Sequence, residues 1–298
     1  MRYLLIVALL ALIGVTACGA RKAAGDGPWV DLKFGRDHPN IDPDDWSLTD
    51  GPFSMKCVKK GQPSVQPTFV SDSRFGKALK IVLTPTEGKG TDNGRDKINY
   101  TILKGSDENA PTFDGSTVYY KFAVKLDPNS FDTPTTGKDY IIAQWWQGAP
   151  FGPPLSLQIL NGSDPKDNPQ IAFAIRNRDT GANPSAKVIT LLPKTVTELV
   201  RGQWYEFVVA TKFGFNDDAD LKVWINSDDT PEISWHGNIG YDPSLGAGDL
   251  GFKTGKLDRS PNPKMELYVG PYRDRQDGTQ TFYFANISYG PSKPSATD

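Results

Sequence analysis

The stretch Met265 to Arg273 reads M-E-L-Y-V-G-P-Y-R, and Ile141 to Gln147 reads I-I-A-Q-W-W-Q. Both alternate like strands of a half-buried sheet, in which successive side chains point to opposite faces. Their polar-side positions carry Tyr268, Tyr272, Gln144 and Gln147. Phenols and carboxamides facing out of a sheet can hydrogen-bond a sugar. They can also share a proton abstraction beside a uronic acid, a task for which an inert sandwich has no use.

Such residues need a rigid sheet to hold them, and the rest of the chain supplies strand signals. Gly 29 and Pro 24, with many Thr, Val, Tyr, Phe and Trp, favour a turn-rich all-β protein. Candidate strands are Ala78–Thr84, Ile98–Leu103, Val118–Leu126, Tyr140–Gln147, Leu155–Leu160, Gln170–Arg176, Lys187–Leu192 and Trp204–Lys212. Leu221–Ile225, Met265–Tyr272 and Phe282–Tyr289 follow. Connections rich in Gly, Pro, Asn and Asp, such as N-G-S-D-P-K-D-N-P after Leu160, separate them. Only Thr195–Val200 reads as helical, and weakly. Strands of this number and spacing predict two antiparallel sheets packed as a jelly roll. In such folds one sheet is often concave, and a long ligand lies across it.

The first residues carry one charge at Arg2, an apolar run from Leu4 to Val15, then Val15-Thr16-Ala17-Cys18. The run is too short to span a bilayer and reads as a secretory signal over residues 1–17. The tetrapeptide resembles a bacterial lipobox, which makes Cys18 the expected lipidation site; the alternative is an ordinary cut near Ala17 or Ala20. Either reading exports the protein, as a membrane-anchored lipoprotein at the cell envelope or as a secreted chain. Residues 18–27 read as a flexible tether and 28–298 as one domain. Lipidation of Cys18 leaves Cys57 alone, without an intrachain disulfide. A formal net charge of −2 argues against binding nucleic acid by bulk electrostatics. Membrane contact is expected only through the N-terminal lipid, and a monomer is the default.

Further pieces extend the pattern. G-R-D-K-I lies at Gly94 to Ile98, ahead of I-I-A-Q-W-W-Q. W-Y-E-F-V-V-A-T-K-F and L-K-V-W-I-N come next, then G-N-I-G-Y at Gly237 to Tyr241 and Y-V-G-P-Y-R at Tyr268 to Arg273. In this order, over roughly Arg95 to Tyr289, the chain resembles the secreted polysaccharide lyases of the jelly-roll type, the group holding alginate, glucuronan and heparin lyases. The pieces are similar to that family's Arg-x-Glu-Leu strand, its Gln-x-His strand, the paired strands of its convex side, and its Tyr-x-Lys-x-Gly-x-Tyr strand.

The resemblance implies a concanavalin-like β-jelly roll and β-elimination on an acidic polysaccharide. The proton at C5 of a uronate is removed and the oxygen at C4 expelled. The uronate carboxylate must be neutralised so that the enolate-like charge can develop. By motif position the resemblance gives that task to Arg95 and Gln144, and the acid and base work to Tyr272, with Tyr268 second. No cofactor is expected for this chemistry.

The departures are specific. Trp146 stands where the family often has His and cannot abstract a proton; Lys97 stands where it has Glu; no cation follows Tyr268 at the family's Lys position. A His-dependent mechanism is excluded at this position, which leaves a Tyr serving as both base and acid, or a groove that has lost catalysis. Other residues carry two readings each. Trp146, sharing a face with Gln144 while Trp145 and Ile142 share the other, stacks on a sugar ring or edges the core. Tyr272 and Tyr268 act on the sugar or merely bind it. Lys97 beside Arg95 grips a uronate, or both are solvated. Arg176 and Arg178 extend the groove or face water. Gln147 and Arg273 complete the expected substrate-binding set.

His236, in S-W-H-G-N-I-G-Y, reads as a loop residue, either solvated or a substitute base. The N-D-D-A-D run at Asn216 to Asp220 lacks EF-hand spacing and reads as a turn, with structural calcium left open. The competing functions are a non-catalytic carbohydrate-binding lipoprotein and, more distantly, a glycoside hydrolase. No strand of closely alternating acids supports the latter.

Overall fold

The computed structural model describes residues 30–32, 34, 39–50, 53–60, 65–84, 95–103, 115–134, 140–148, 152–177, 187–241, 264–274 and 278–296. The expected signal, Cys18 and the tether lie outside these residues, as does Arg178. Among the described residues there are eighteen strands and no helix. Thr195–Val200, expected as weakly helical, is an irregular connection instead. The carboxylate of Glu232 accepts the backbone NH of Thr195 at 2.7 Å, in place of a helical ladder.

Numbered in chain order, the strands form two large sheets and a small one, all paired antiparallel. The eight-stranded sheet runs β16 (Ile233–Ile239), β15 (Gly214–Ile225), β14 (Trp204–Lys212), β9 (Val118–Phe131), β18 (Gln280–Gly290), β7 (Gly76–Leu83) and β6 (Thr68–Asp72), with β1 (Val30–Leu32) added beside β18. The seven-stranded sheet runs β13 (Lys187–Leu191), β12 (Ile171–Asn177), β11 (Leu155–Ile159), β10 (Tyr140–Trp146), β17 (Glu266–Asp274), β8 (Arg95–Leu103) and β5 (Cys57–Lys60). A short sheet of β2 (Asn40–Ile41), β3 (Leu48–Asp50) and β4 (Phe53–Met55) pairs with neither, though its Leu48 and Met55 join the common core.

Alternation explains which faces meet. In β14, Tyr205, Phe207 and Val209 enter the core, while Glu206, Val208 and Ala210 point the other way. Aromatic side chains from the two sheets interlock. Tyr120 of β9 meets Trp145 of β10 edge-on at 5.5 Å, Phe173 of β12 approaches Phe207 at 6.4 Å, and Tyr140 lies 5.6 Å from Phe282 of β18. Each such buried side chain contributes about 1.5–3 kcal/mol, and this layer holds the sandwich closed.

Two irregularities shape the seven-stranded sheet. The register of β10 shifts between Ile141 and Ala143, which lets Ile142, Ala143 and Trp145 all reach the core while Gln144 and Trp146 stay on the opposite face. In β17, Gly270 sits at φ +128°, where a side chain is strained, and an added Cβ would collide with the carbonyl oxygen of Ile98. The Asn99 amide donates to the Gly270 carbonyl and holds β8 against this close approach. Gly270 thereby separates Tyr268 from Tyr272 without breaking the strand.

Candidate active site

The core-remote face of the seven-stranded sheet collects the polar side chains of β8, β10 and β17. Cross-strand register fixes their rows. Thr101, Tyr268, Gln144 and Ser156 lie opposite one another in succession across β8, β17, β10 and β11. A second row joins Lys97, Tyr272 and Ile141. Trp146 stands opposite Glu266.

These neighbours interact. The Lys97 ammonium lies 4.8 Å from the Tyr268 ring centre and 5.2 Å from that of Tyr272. Lys97 is only 8% exposed, and the electron-rich ring faces offset part of the cost of desolvating its charge. The cation beside these two phenols comes from the neighbouring strand β8. Gln144, 5% exposed, sits beside Tyr268 with a carboxamide that can both donate to and accept from a ligand.

Tyr268 donates its hydroxyl proton to Glu266 Oε2 and meets the Trp146 ring edge-on at 6.1 Å. Burial pushes the Tyr268 phenol well above its ordinary range. The hydrogen bond to Glu266 and its charge add to this, with the Thr101 hydroxyl opposing. Sequence reasoning misses Glu266. Its signal is present, since it lies two positions before Tyr268 and therefore on the same face.

The expected site residues divide. Gln144, Lys97, Tyr268, Tyr272 and Trp146 share one surface, with Trp146 half-buried on it while Trp145 fills the core. Arg176 lies on the same face of β12, donating to Ser156 Oγ at 3.1 Å and the Pro153 carbonyl at 3.2 Å. The backbone of Arg95 pairs with Asp274; its side chain lies outside the described residues. Gln147 is engaged elsewhere. Its carbonyl accepts the Tyr241 backbone NH at 2.9 Å and its amide donates to the Tyr241 carbonyl, so it anchors a distant segment of the chain.

Arg273 requires a correction. It is 1% exposed and faces the core, the reverse of Tyr272, because consecutive strand residues alternate. Its guanidinium donates to the carbonyls of Gly278 at 2.8 Å and Thr84 at 2.7 Å, to the Gln280 side chain, and pairs with Asp96 at 3.6 Å. It cannot touch a polysaccharide.

His236 also stands apart. It lies in β16, not a loop, at the edge of the other sheet, paired with Asp220 at 2.8 Å and largely exposed. The Asn216–Asp220 run is part of β15 rather than a turn, with Asp218 bound to Lys212 at 3.0 Å. Among the described residues no group of three or more His, Cys, Asp and Glu side chains converges. Cys57 is buried, its thiol pushed up to about 11 by desolvation.

With this geometry in place, the family follows. A family model described as polysaccharide lyase matches residues 44–288, and the chain belongs to that family. The fold is similar to that of an endo-β-1,4-glucuronan lyase from the fungus Trichoderma reesei, at TM-score 0.54 and 16% identity over 79% of this chain and 90% of that one. An alginate lyase from Pseudomonas aeruginosa aligns at TM-score 0.44 and 13% identity, covering 74% of this chain and 85% of that one. The alginate lyase A1-II', a member of polysaccharide lyase family 7, aligns at TM-score 0.44 and 15% identity, covering 76% of this chain and 83% of that one. No curated protein sequence matches the chain. The protein is a polysaccharide lyase with an all-β jelly-roll fold.

Proposed function

We propose that this lyase is exported and cleaves a uronate-containing polysaccharide by β-elimination on the face that carries Tyr272. One observation carries the reading: a carboxamide, an ammonium and two phenols (Gln144, Lys97, Tyr268 and Tyr272) share one surface of a single sheet. Those are the group types the reaction needs. Gln144 donates to the uronate carboxylate and Lys97 offsets its charge, a task that motif position also gives to Arg95, two residues earlier on β8. Neutralising the carboxylate lets negative charge spread from C5 into it as the proton leaves. Tyr272 acts as acid and base: the C5 proton is removed, the C4–O4 bond breaks as a C4=C5 double bond forms, and O4 leaves protonated. Trp146 and Arg176 border this surface and would contact neighbouring sugar units. A sheet holds these groups more rigidly than a loop, which suits a reaction depending on alignment.

The test is incubation with a panel of uronate polymers, reading ultraviolet absorbance and product mass together. Elimination yields an absorbing, unsaturated product lighter by one water than the product of hydrolysis. A flat trace with binding retained would favour a carbohydrate-binding lipoprotein instead. The anchor is proposed from Cys18: replacing it with Ala should release the protein from the membrane fraction.

A further inference from the structure

Elimination requires two proton movements, and the structure offers more than one group for them. Glu266 accepts the hydroxyl proton of Tyr268, and Tyr268 lies opposite Gln144 in the row that would receive the uronate carboxylate. The Thr101 hydroxyl reaches the same phenol from β8. A phenol bonded at once to a carboxylate and to a hydroxyl donor can pass its proton one way while its oxygen accepts another. Trp146, across the strand pair from Glu266, meets the Tyr268 ring edge-on beside this hydrogen bond. A sheet-stabilising role alone gives no reason to place a carboxylate on a surface that must bind polyanions.

We propose that Glu266 and Tyr268 form a relay that takes the C5 proton, which moves the base's task from Tyr272 to this pair and leaves Tyr272 as the acid to the leaving oxygen; this rests on the elimination reading above. The Tyr268 oxygen binds the C5 proton as its own hydroxyl proton moves to the Glu266 carboxylate. The C5–H electron pair becomes the C4=C5 double bond. The C4–O4 pair departs on O4 and captures the hydroxyl proton of Tyr272. The enzyme is left with Glu266 protonated and Tyr272 deprotonated, and transfer of one proton from the first to the second through water restores it. No co-reactant is needed. Tyr268 is the catalytic residue of this pair, and Glu266, acting through it, is a positioning and proton-accepting residue.

The experiment compares wild type, Glu266→Gln, Tyr268→Phe and the double variant on a uronate polymer that wild type cleaves. Gln keeps the size and an acceptor oxygen for the phenol but cannot take its proton. Glu266→Gln should lose about 100-fold or more in kcat with KM changed less than about threefold, and the double variant should be little worse than either single one. Around this carboxylate stand the Tyr268 phenol, the Lys97 ammonium of β8 over that ring, and the neutral Trp146 and Gln144 of β10. Unfolding curves establish that each variant is folded. If Glu266→Gln folds poorly, Tyr268→Phe and Glu266→Asp read the same relay, with Asp restoring part of the rate. A folded Glu266→Gln with near wild-type kcat would overturn the relay alone. A wild type inert on every uronate polymer would overturn the elimination reading, and the relay with it.

Discussion

Lys97 and Tyr272 face each other across the β8–β17 pair, with the ammonium 5.2 Å from the phenol ring centre. The same ammonium lies over Tyr268, so one cation organises both phenols of the surface. Replacing Lys97 with Met keeps the aliphatic stem and removes the charge. The kcat/KM on a uronate polymer should fall about 100-fold, as when one donor to a developing anion is lost, with the melting temperature little changed. Steady-state kinetics check this, and an unaltered kcat/KM would remove Lys97 from the reaction.

Arg273 should behave in the opposite way. Replacing it with Met leaves the Asp96 carboxylate buried without its partner guanidinium, and breaking a buried pair in this manner costs about 3–5 kcal/mol. Urea unfolding should show that loss, while the folded fraction keeps the wild-type KM. A raised KM without loss of stability would return Arg273 to the binding surface.

The outer face of the eight-stranded sheet carries a pH-dependent contribution. Burial opposes ionisation of Asp72. Hydrogen bonds from Lys125 at 2.8 Å, the Arg74 NH at 2.9 Å, the Trp204 indole at 3.0 Å and the Phe75 NH at 3.2 Å outweigh it and hold the carboxyl below its ordinary range. A depressed folded pKa stabilises the fold above the unfolded value, about 3.9, and that contribution fades as pH falls through the lower folded value. Asp72→Asn should therefore be less stable than wild type at neutral pH, by about 1–3 kcal/mol, with the gap closing in acid. Paired unfolding curves at several pH values would show a constant gap if the account is wrong.

Much of the sheet is legible in the sequence because alternation and turn residues are local signals. Gln144 and Trp145 show this best: adjacent in the chain, they point to opposite faces, one bearing the polar surface and one filling the core. Short strands such as β2 and β4 are not legible, since two or three residues show no period. β16 is hidden by its glycine, being an edge strand with Gly237 at φ +143°. The site is half legible. Tyr272, Tyr268 and Gln144 can be placed by parity, whereas the motif suggests for Arg273 a surface role that parity with Tyr272 denies it. Glu266 escapes notice because an acidic ligand gives no obvious reason for an acidic side chain. The neighbours of its partner Tyr268 become visible only when the register brings the strands together.

The most direct measurement is the initial rate of ultraviolet absorbance on uronate polymers for wild type and Tyr272→Phe, with polymer binding followed in parallel. The account predicts rising absorbance for wild type on at least one polymer. For Tyr272→Phe it predicts a rate lower by about 100-fold or more, with binding retained. Equal rates for the two proteins, or no absorbance change from a wild type that binds the polymer, would contradict it.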